Sequence, residues 1–352
     1  MQQQIANLLF LFAKGRVSEA QAYPLQRHGS ELGERYGLNV QVMPWRDRFE
    51  PLARNADVVM LQNRRTIPLD RLAVTVLREL NSRAKLVFVD SHASTYIHEA
   101  ELFEETDVYL RRNRYRDTAG HRRHYRGGRI FAEYFAGLYG APLRDQWTHS
   151  VDLQYLYKLA LGWDIGAAEY LESLFIRNTT TRITSQRPVD VCCRVGVRAH
   201  HPPWLVRHRR AVVELLRALG RFTVIASSET IARHAYFDEL AKSKIAVSPF
   251  GWGEVCWRDF EAIACGCLLV KPSMEHVETY PFRYEDGETY VSVRWDLSDL
   301  EEKCRYYLTH EDERLRIVHN AATAYRTYFS AGTYARVLRE ILALAEDRSR
   351  RS

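Results

Sequence analysis

Twice along this chain, short apolar runs of β type alternate with stretches whose apolar residues recur at helical spacing. Such a rhythm builds repeated strand–helix–strand units, and right-handed crossovers turn each series into a parallel sheet flanked by helices. In the first series, residues 5–13, 40–43, 57–61, 85–89 and 108–110 read as strands, with helical spacing over 18–36 and 69–80. In the second, 189–197, 222–226, 244–247 and 268–271 read as strands, separated by helical stretches at 207–219, 229–241 and 255–265. Further helices are expected at 298–308, 311–328 and 333–346. At 352 residues the chain exceeds one ordinary core of roughly 100–200 residues. The expected fold is therefore α/β, with two Rossmann-like domains facing a cleft. Residues 1–165 form the first domain and 166–330 the second, with 331–352 as a terminal amphipathic helix. The intervening region, 140–185, changes character: 151–161 is aromatic and 178–186 polar and turn-like, which suits a bridge.

The most informative stretch is 248–272, SPFGWGEVCWRDFEAIACGCLLVKP. Gly251 and Gly253 open a loop directly after a strand, where backbone can approach a ligand closely. The helix that follows offers free amides and a positive dipole end to that loop, which suits a diphosphate. Glu254, Arg258 and Glu261 are spaced four and three apart, on one helical face. Arg258 sits near enough to the helix start to grip phosphate through two bonds. Glu261, one turn deeper, suits the paired hydroxyls of a ribose. Trp257, Phe260 and Ala264 form the opposite face, toward the sheet, and Gly266 supplies a left-handed cap. The alternative is a surface helix whose charged residues make exposed salt bridges.

The register G-x-G-x-x-x-x-R-x-x-E-A-x-x-x-G-C-x-x-V is carried here by Gly251, Gly253, Arg258, Glu261, Ala262, Gly266, Cys267 and Val270. It resembles the C-terminal donor-binding domain of GT-B glycosyltransferases, especially exostosin-like and group 1-like members. The likeness extends more weakly over 189–328. It implies a nucleoside-diphosphate sugar donor, with Glu261 on the ribose and Arg258 near the diphosphate. It also implies an acceptor-binding first domain, a last helix crossing back onto that domain, and transfer to a hydroxyl of a surface glycan or lipid-linked precursor. Many retaining group 1 enzymes carry a glutamate eight positions before the ribose glutamate. Gly253 holds that place here and Glu254 is one step off, so retaining stereochemistry does not carry over.

Asp90-Ser91-His92 follows the strand at 85–89, at the carboxyl end where open α/β sheets bind ligands. An acceptor hydroxyl needs a base, and Asp90 or His92 suits that role. Asp90 and Ser91 equally suit capping of a next helix, with His98 and Glu99 on it. Arg198, followed by His200 and His201, ends the first strand of the second series and is assigned to the diphosphate. His276, in the loop after Lys271, is either a donor contact or an exposed loop histidine. The chain has no D-x-D, and the tandem histidines lack a third ligand at sensible spacing, so no metal is expected. Arginine and helix-start charge would then stabilise the leaving group.

Between residues 111 and 129 stand eight arginines and one acid, a local charge of +7 against +6 for the whole chain. Such a block attracts phosphates, anionic lipid or nucleic acid, or is simply a solvated loop. It keeps open an alternative acceptor, a modified base in DNA, held by the arginines. A second alternative is a nonenzymatic nucleotide-sugar or nucleic-acid binding module. Composition (46% hydrophobic, 27% charged) is that of a globular protein. Six cysteines without a C-x-x-C pair, and no apolar run of roughly 18–20 residues, suggest a cytoplasmic protein, free or peripheral to a membrane.

Overall fold

The computed structural model describes residues 6–45, 49–63, 67–148, 150–179 and 187–347. The turn-like stretch expected at 178–186 lies, beyond Thr179, outside the described residues. In chain order the first strands are β1 (Ala6–Phe12), β2 (Leu38–Pro44), β3 (Val58–Gln62), β4 (Lys85–Asp90), β5 (Val108–Arg111), β6 (Asn113–Tyr115) and β7 (Leu159–Leu161). They are followed by β8 (Val189–Arg194), β9 (Val224–Ser227), β10 (Ser243–Val247), β11 (Leu268–Pro272), β12 (Val277–Thr279) and β13 (Val291–Val293).

Two parallel sheets result, ordered β2-β1-β3-β4-β5-β7 and β13-β11-β10-β8-β9. These are the two Rossmann-like layers that the alternating pattern called for. The interior strands β3 and β5 are buried along their whole length, because helices cover both faces of a parallel sheet. Edge strand β2 alternates buried and open positions instead.

Three local expectations need correction. The helical stretch at 18–36 is two helices, Arg16–Arg27 and Gly29–Tyr36, divided at His28. No helix follows β4: residues 91–101 are irregular, and the next helix begins at Leu102. Asp90 caps nothing but a local turn, its Oδ1 accepting from the His92 amide at 3.0 Å.

The last helix, Ala331–Asp347, crosses back onto the first domain. Tyr334 meets Trp163 edge-on at 5.3 Å and stacks on His28 at 5.8 Å, and Arg339 donates to the Tyr36 carbonyl.

A feature absent from the sequence reading joins the domains: β6 and β12 pair antiparallel, one strand from each half. Arg114 reinforces the ribbon through Glu278 at 2.8 Å, and Arg116 donates to the Glu275 carbonyl at 3.1 Å. This changes the reading of the arginine block. Arg111 and Arg112 are buried against Asp90 and Asp164, and Arg129 donates to the Trp252 carbonyl. Only Arg122, Arg123 and Arg126 stay exposed without contact to the second domain, and Arg126 faces Asp145 at 3.7 Å. Of the eight arginines, two are thus buried in ion pairs, three join the domains and three stay exposed.

Candidate functional site

In both sheets the order of strands reverses direction once, between β1 and β3 in the first and between β8 and β10 in the second. Open α/β sheets bind ligands at such switch points, outside the carboxyl ends of the strands. Two guanidiniums occupy the second one. Arg209, on the helix Pro203–Arg217, donates to the Gly196 carbonyl in the loop after β8. Arg258, on the helix Trp257–Ala264, donates to the Pro249 carbonyl after β10 at 2.7 Å. A Cβ on Gly251 would lie 3.6 Å from Arg209 Nη2, so the absence of a side chain there leaves the space beside this arginine open.

Both Nε atoms are buried without a hydrogen-bond partner, and neither arginine makes an ion pair among the described residues. Burial first, then the neighbouring Arg258, pushes Arg209 down to about 10. Two neighbouring cations, partly desolvated and without a carboxylate, are chemically suited to an anion. Arg209 escaped the sequence reading. The available signal was its place on the buried stripe of its helix, with Leu205, Val212 and Leu216, where an unpaired arginine is out of keeping.

The glycine loop is held from beneath by a second buried arrangement that the sequence reading also missed. Lys271 Nζ lies 2.6 Å from Asp259 Oδ2, and both side chains are fully buried. Lys271 also donates to the Glu254 carbonyl, while Asp259 accepts from Ser248 Oγ, the Cys256 amide and the Tyr284 hydroxyl. Both ends of the loop are thereby tied to the start of the helix.

Glu254 does not share a helical face with Arg258 and Glu261, because the helix starts only at Trp257. Its carboxylate turns to the first domain and accepts from the Thr95 amide at 3.1 Å and the Thr95 hydroxyl at 2.5 Å. Burial opposes its ionisation, but His276 and Thr95 more than offset this and hold the carboxyl below its usual range. His276 stands 3.6 Å from Glu254, enclosed rather than exposed on a loop. Gly253 lets the two domains approach closely: a Cβ there would fall 1.9 Å from the Ala93 carbonyl oxygen. Glu254, His276 and Gly253 are therefore seam residues.

Glu261 is 6% exposed and accepts from the hydroxyls of Tyr170 at 2.9 Å and Tyr236 at 3.1 Å, with Arg16 at 3.8 Å. This is no exposed salt-bridge helix. Nor do Trp257 and Phe260 face the sheet: Trp257 lies under Arg16, and Phe260 packs on Tyr325 and Tyr328. Arg198 is exposed, its amide donating to His201 Nδ1 at 3.2 Å. Among the described residues, no three His, Cys, Asp or Glu are grouped to hold a metal ion.

Across the seam, Asp90 ends β4 fully buried. Its Oδ1 lies 2.7 Å from His92 Nδ1, and its Oδ2 meets the Tyr109 hydroxyl at 2.8 Å and Arg111 at 2.7 Å. Burial disfavours the charged form, yet Arg111 and His92 hold the carboxyl well below the usual range. The anion fixes the imidazole through one nitrogen and leaves Nε2 for chemistry, with the ring still 30% exposed. His98 stacks on His92 at 3.9 Å and is pushed down to about 3 by burial and then by His92, so it stays neutral beside it. Because Ala93 abuts Gly253, the His92 loop and the glycine loop meet at the same point of the seam.

Residues 204–343 match the family described as glycosyl transferase-like. No curated protein sequence matches the chain. Among solved structures, the α,α-trehalose 6-phosphate synthase of Burkholderia multivorans is 10% identical, with 98% of each chain covered and a TM-score of 0.51. A glycosyltransferase of Rickettsia africae is 13% identical over 99% of each chain, at a TM-score of 0.48. Anabaena HepE, solved with UDP-glucose, is 12% identical and covers 96% of this chain and 99% of its own, at 0.45. The paired Rossmann-like sheets thus share the two-domain fold of that synthase, and the glycosyl transferase-like match lies in the second half of the chain.

Proposed function

We propose that this protein transfers a sugar from a nucleoside-diphosphate sugar to an acceptor hydroxyl at the seam between its domains. The observation that carries this reading is the pair Arg209, buried, and Arg258, half-buried, two cations with buried unpartnered Nε atoms and no carboxylate at the switch point of the second sheet. A diphosphate would supply the missing anion and take two bonds from each fork. Glu261, with its two tyrosines, borders the ribose. His92 Nε2 removes the proton of the acceptor hydroxyl, whose oxygen forms the new bond to the anomeric carbon as the bond to the diphosphate oxygen breaks. The electron pair leaves with the diphosphate, and Arg209 and Arg258 stabilise it in place of a metal. Asp90 orients the base and stabilises its protonated form without taking the proton. The acceptor is a surface glycan or its lipid-linked precursor.

A calorimetric panel of nucleotide-sugars and free nucleoside diphosphates tests the donor half. Tight binding of at least one, weakened about 10- to 100-fold in Arg209→Met and Arg258→Met, is expected. Binding that both substitutions leave intact overturns the assignment. Turnover that stops with EDTA and returns with manganese or magnesium overturns the metal-free mechanism.

A further inference from the structure

Beside the glycine loop, a cavity of about 190 Å³ spans the seam. The first domain contributes Arg129 and Arg144 to its wall, and the second contributes His200, Pro203, Trp204 and Trp252. No carboxylate lines it. Trp252, between the two loop glycines, is 42% exposed. Its position is fixed, because Arg129 Nε donates to its carbonyl at 2.8 Å while the guanidinium lies 5.4 Å from the ring centre. Glu254 is the carboxylate that acts on Arg129, but Thr95 already engages it. Arg144 is exposed and makes no ion pair among the described residues.

This lining of an aromatic wall, two arginines and no acid contrasts with the seam at Arg114, whose charge is matched by Glu278. The indole offers a flat apolar face to the C–H side of a sugar ring, and an arginine fork matches a phosphate or carboxylate. The space is below the roughly 300 Å³ of a drug-sized pocket, so it suits one sugar unit rather than a chain. Its place next to the glycine loop sets such a unit beside the donor.

We propose that this cavity is an acceptor subsite for a sugar unit bearing an anionic group, its ring on Trp252 and its charge on Arg144 and Arg129. The proposal rests on reading the glycine loop as the donor's. Full-length protein is titrated calorimetrically with glucose 6-phosphate, glucuronate, methyl glucoside and inorganic phosphate, and in parallel with UDP, GDP and ADP. Glucose 6-phosphate, glucuronate or both should bind, the phosphate-bearing and carboxylate-bearing arms telling which anion is preferred. Arg144→Gln should weaken that binding about ten-fold, while Arg122→Gln, an exposed arginine outside the cavity, leaves it unchanged. Methyl glucoside or inorganic phosphate binding as well as the charged sugars overturns the proposal, as does an Arg144→Gln protein with full affinity. Failure of both charged sugars to bind while a nucleotide binds overturns the subsite alone. Failure of every nucleotide overturns the donor reading as well.

Discussion

The two sheets end in opposite electrostatic situations. At the end of the first, the buried anion Asp90 is matched on every side by Arg111, His92 and Tyr109. At the switch point of the second, Arg209 and Arg258 are cations with no anion among the described residues. A matched buried charge fixes geometry, since losing any one partner leaves another stranded. An unmatched one costs free energy until a ligand brings the opposite charge. On the function proposed above, the first domain carries a rigidly aimed base, and the second a site completed by its substrate.

The largest effect should come from the base. His92→Gln should lower kcat by about 10²- to 10⁴-fold while leaving donor affinity unchanged. An unaltered kcat would move the chemistry elsewhere and reduce the Asp90 network to scaffolding.

Stability should separate the two regions next. Asp90→Asn strands Arg111 in a site with no exposure and should cost about 3–5 kcal/mol in denaturant unfolding. Arg258→Met removes a cation that has no ion-pair partner and should leave stability equal or higher while donor binding falls. Equal destabilisation by both substitutions would erase the contrast between matched and unmatched charge.

The contact between the regions can be tested at Gly253. An alanine methyl would sit 1.9 Å from the Ala93 carbonyl oxygen and 2.3 Å from its carbon, both main-chain atoms that cannot rotate away. Gly253→Ala should therefore part the two loops and cost about 100-fold in kcat/KM, with each partner site chemically intact. Wild-type turnover in this variant would mean that the loops need not touch for reaction.

The remaining contrast is a pH slope. Glu99 is pushed up to about 9 by burial first and then by Asp70 and Asp90. The folded protein keeps a proton that the unfolded chain releases near 4.3, so stability should fall as pH rises from about 4.3 toward 9. Asp90 has the opposite sign: its depressed value adds stability above about 3.9, lost as pH falls below that. Glu99→Gln should flatten the alkaline slope and leave the acid limb in place. Unfolding midpoints at pH 3, 6 and 8.5 check both limbs.

The strands were largely legible because buried parallel strands are short apolar runs, and β3, β4, β10 and β11 fall within a residue or so of the expected bounds. Gly266 was legible for a related reason, since a left-handed cap at φ +72° admits little else. The helix expected after Asp90 was not, because a capping residue in sequence looks the same whether it caps a helix or a single turn. The ion pair Lys271–Asp259 was hidden because twelve positions separate its members and each alone resembles a surface charge. The arginine block misled for the converse reason: counted as charge it was a surface, and most of its members proved to have partners.

By itself, then, the sequence determined the two parallel layers and the glycine-loop helix, since each follows from local periodicity and backbone freedom. Only the tertiary structure decided which charges meet. It set Arg209 beside Arg258, turned Glu254 toward Thr95, and pressed Gly253 against Ala93. Those pairings depend on how two separately formed sheets dock, and the β6–β12 ribbon that docks them joins segments about 160 residues apart. No window of local sequence holds both sides of such a contact.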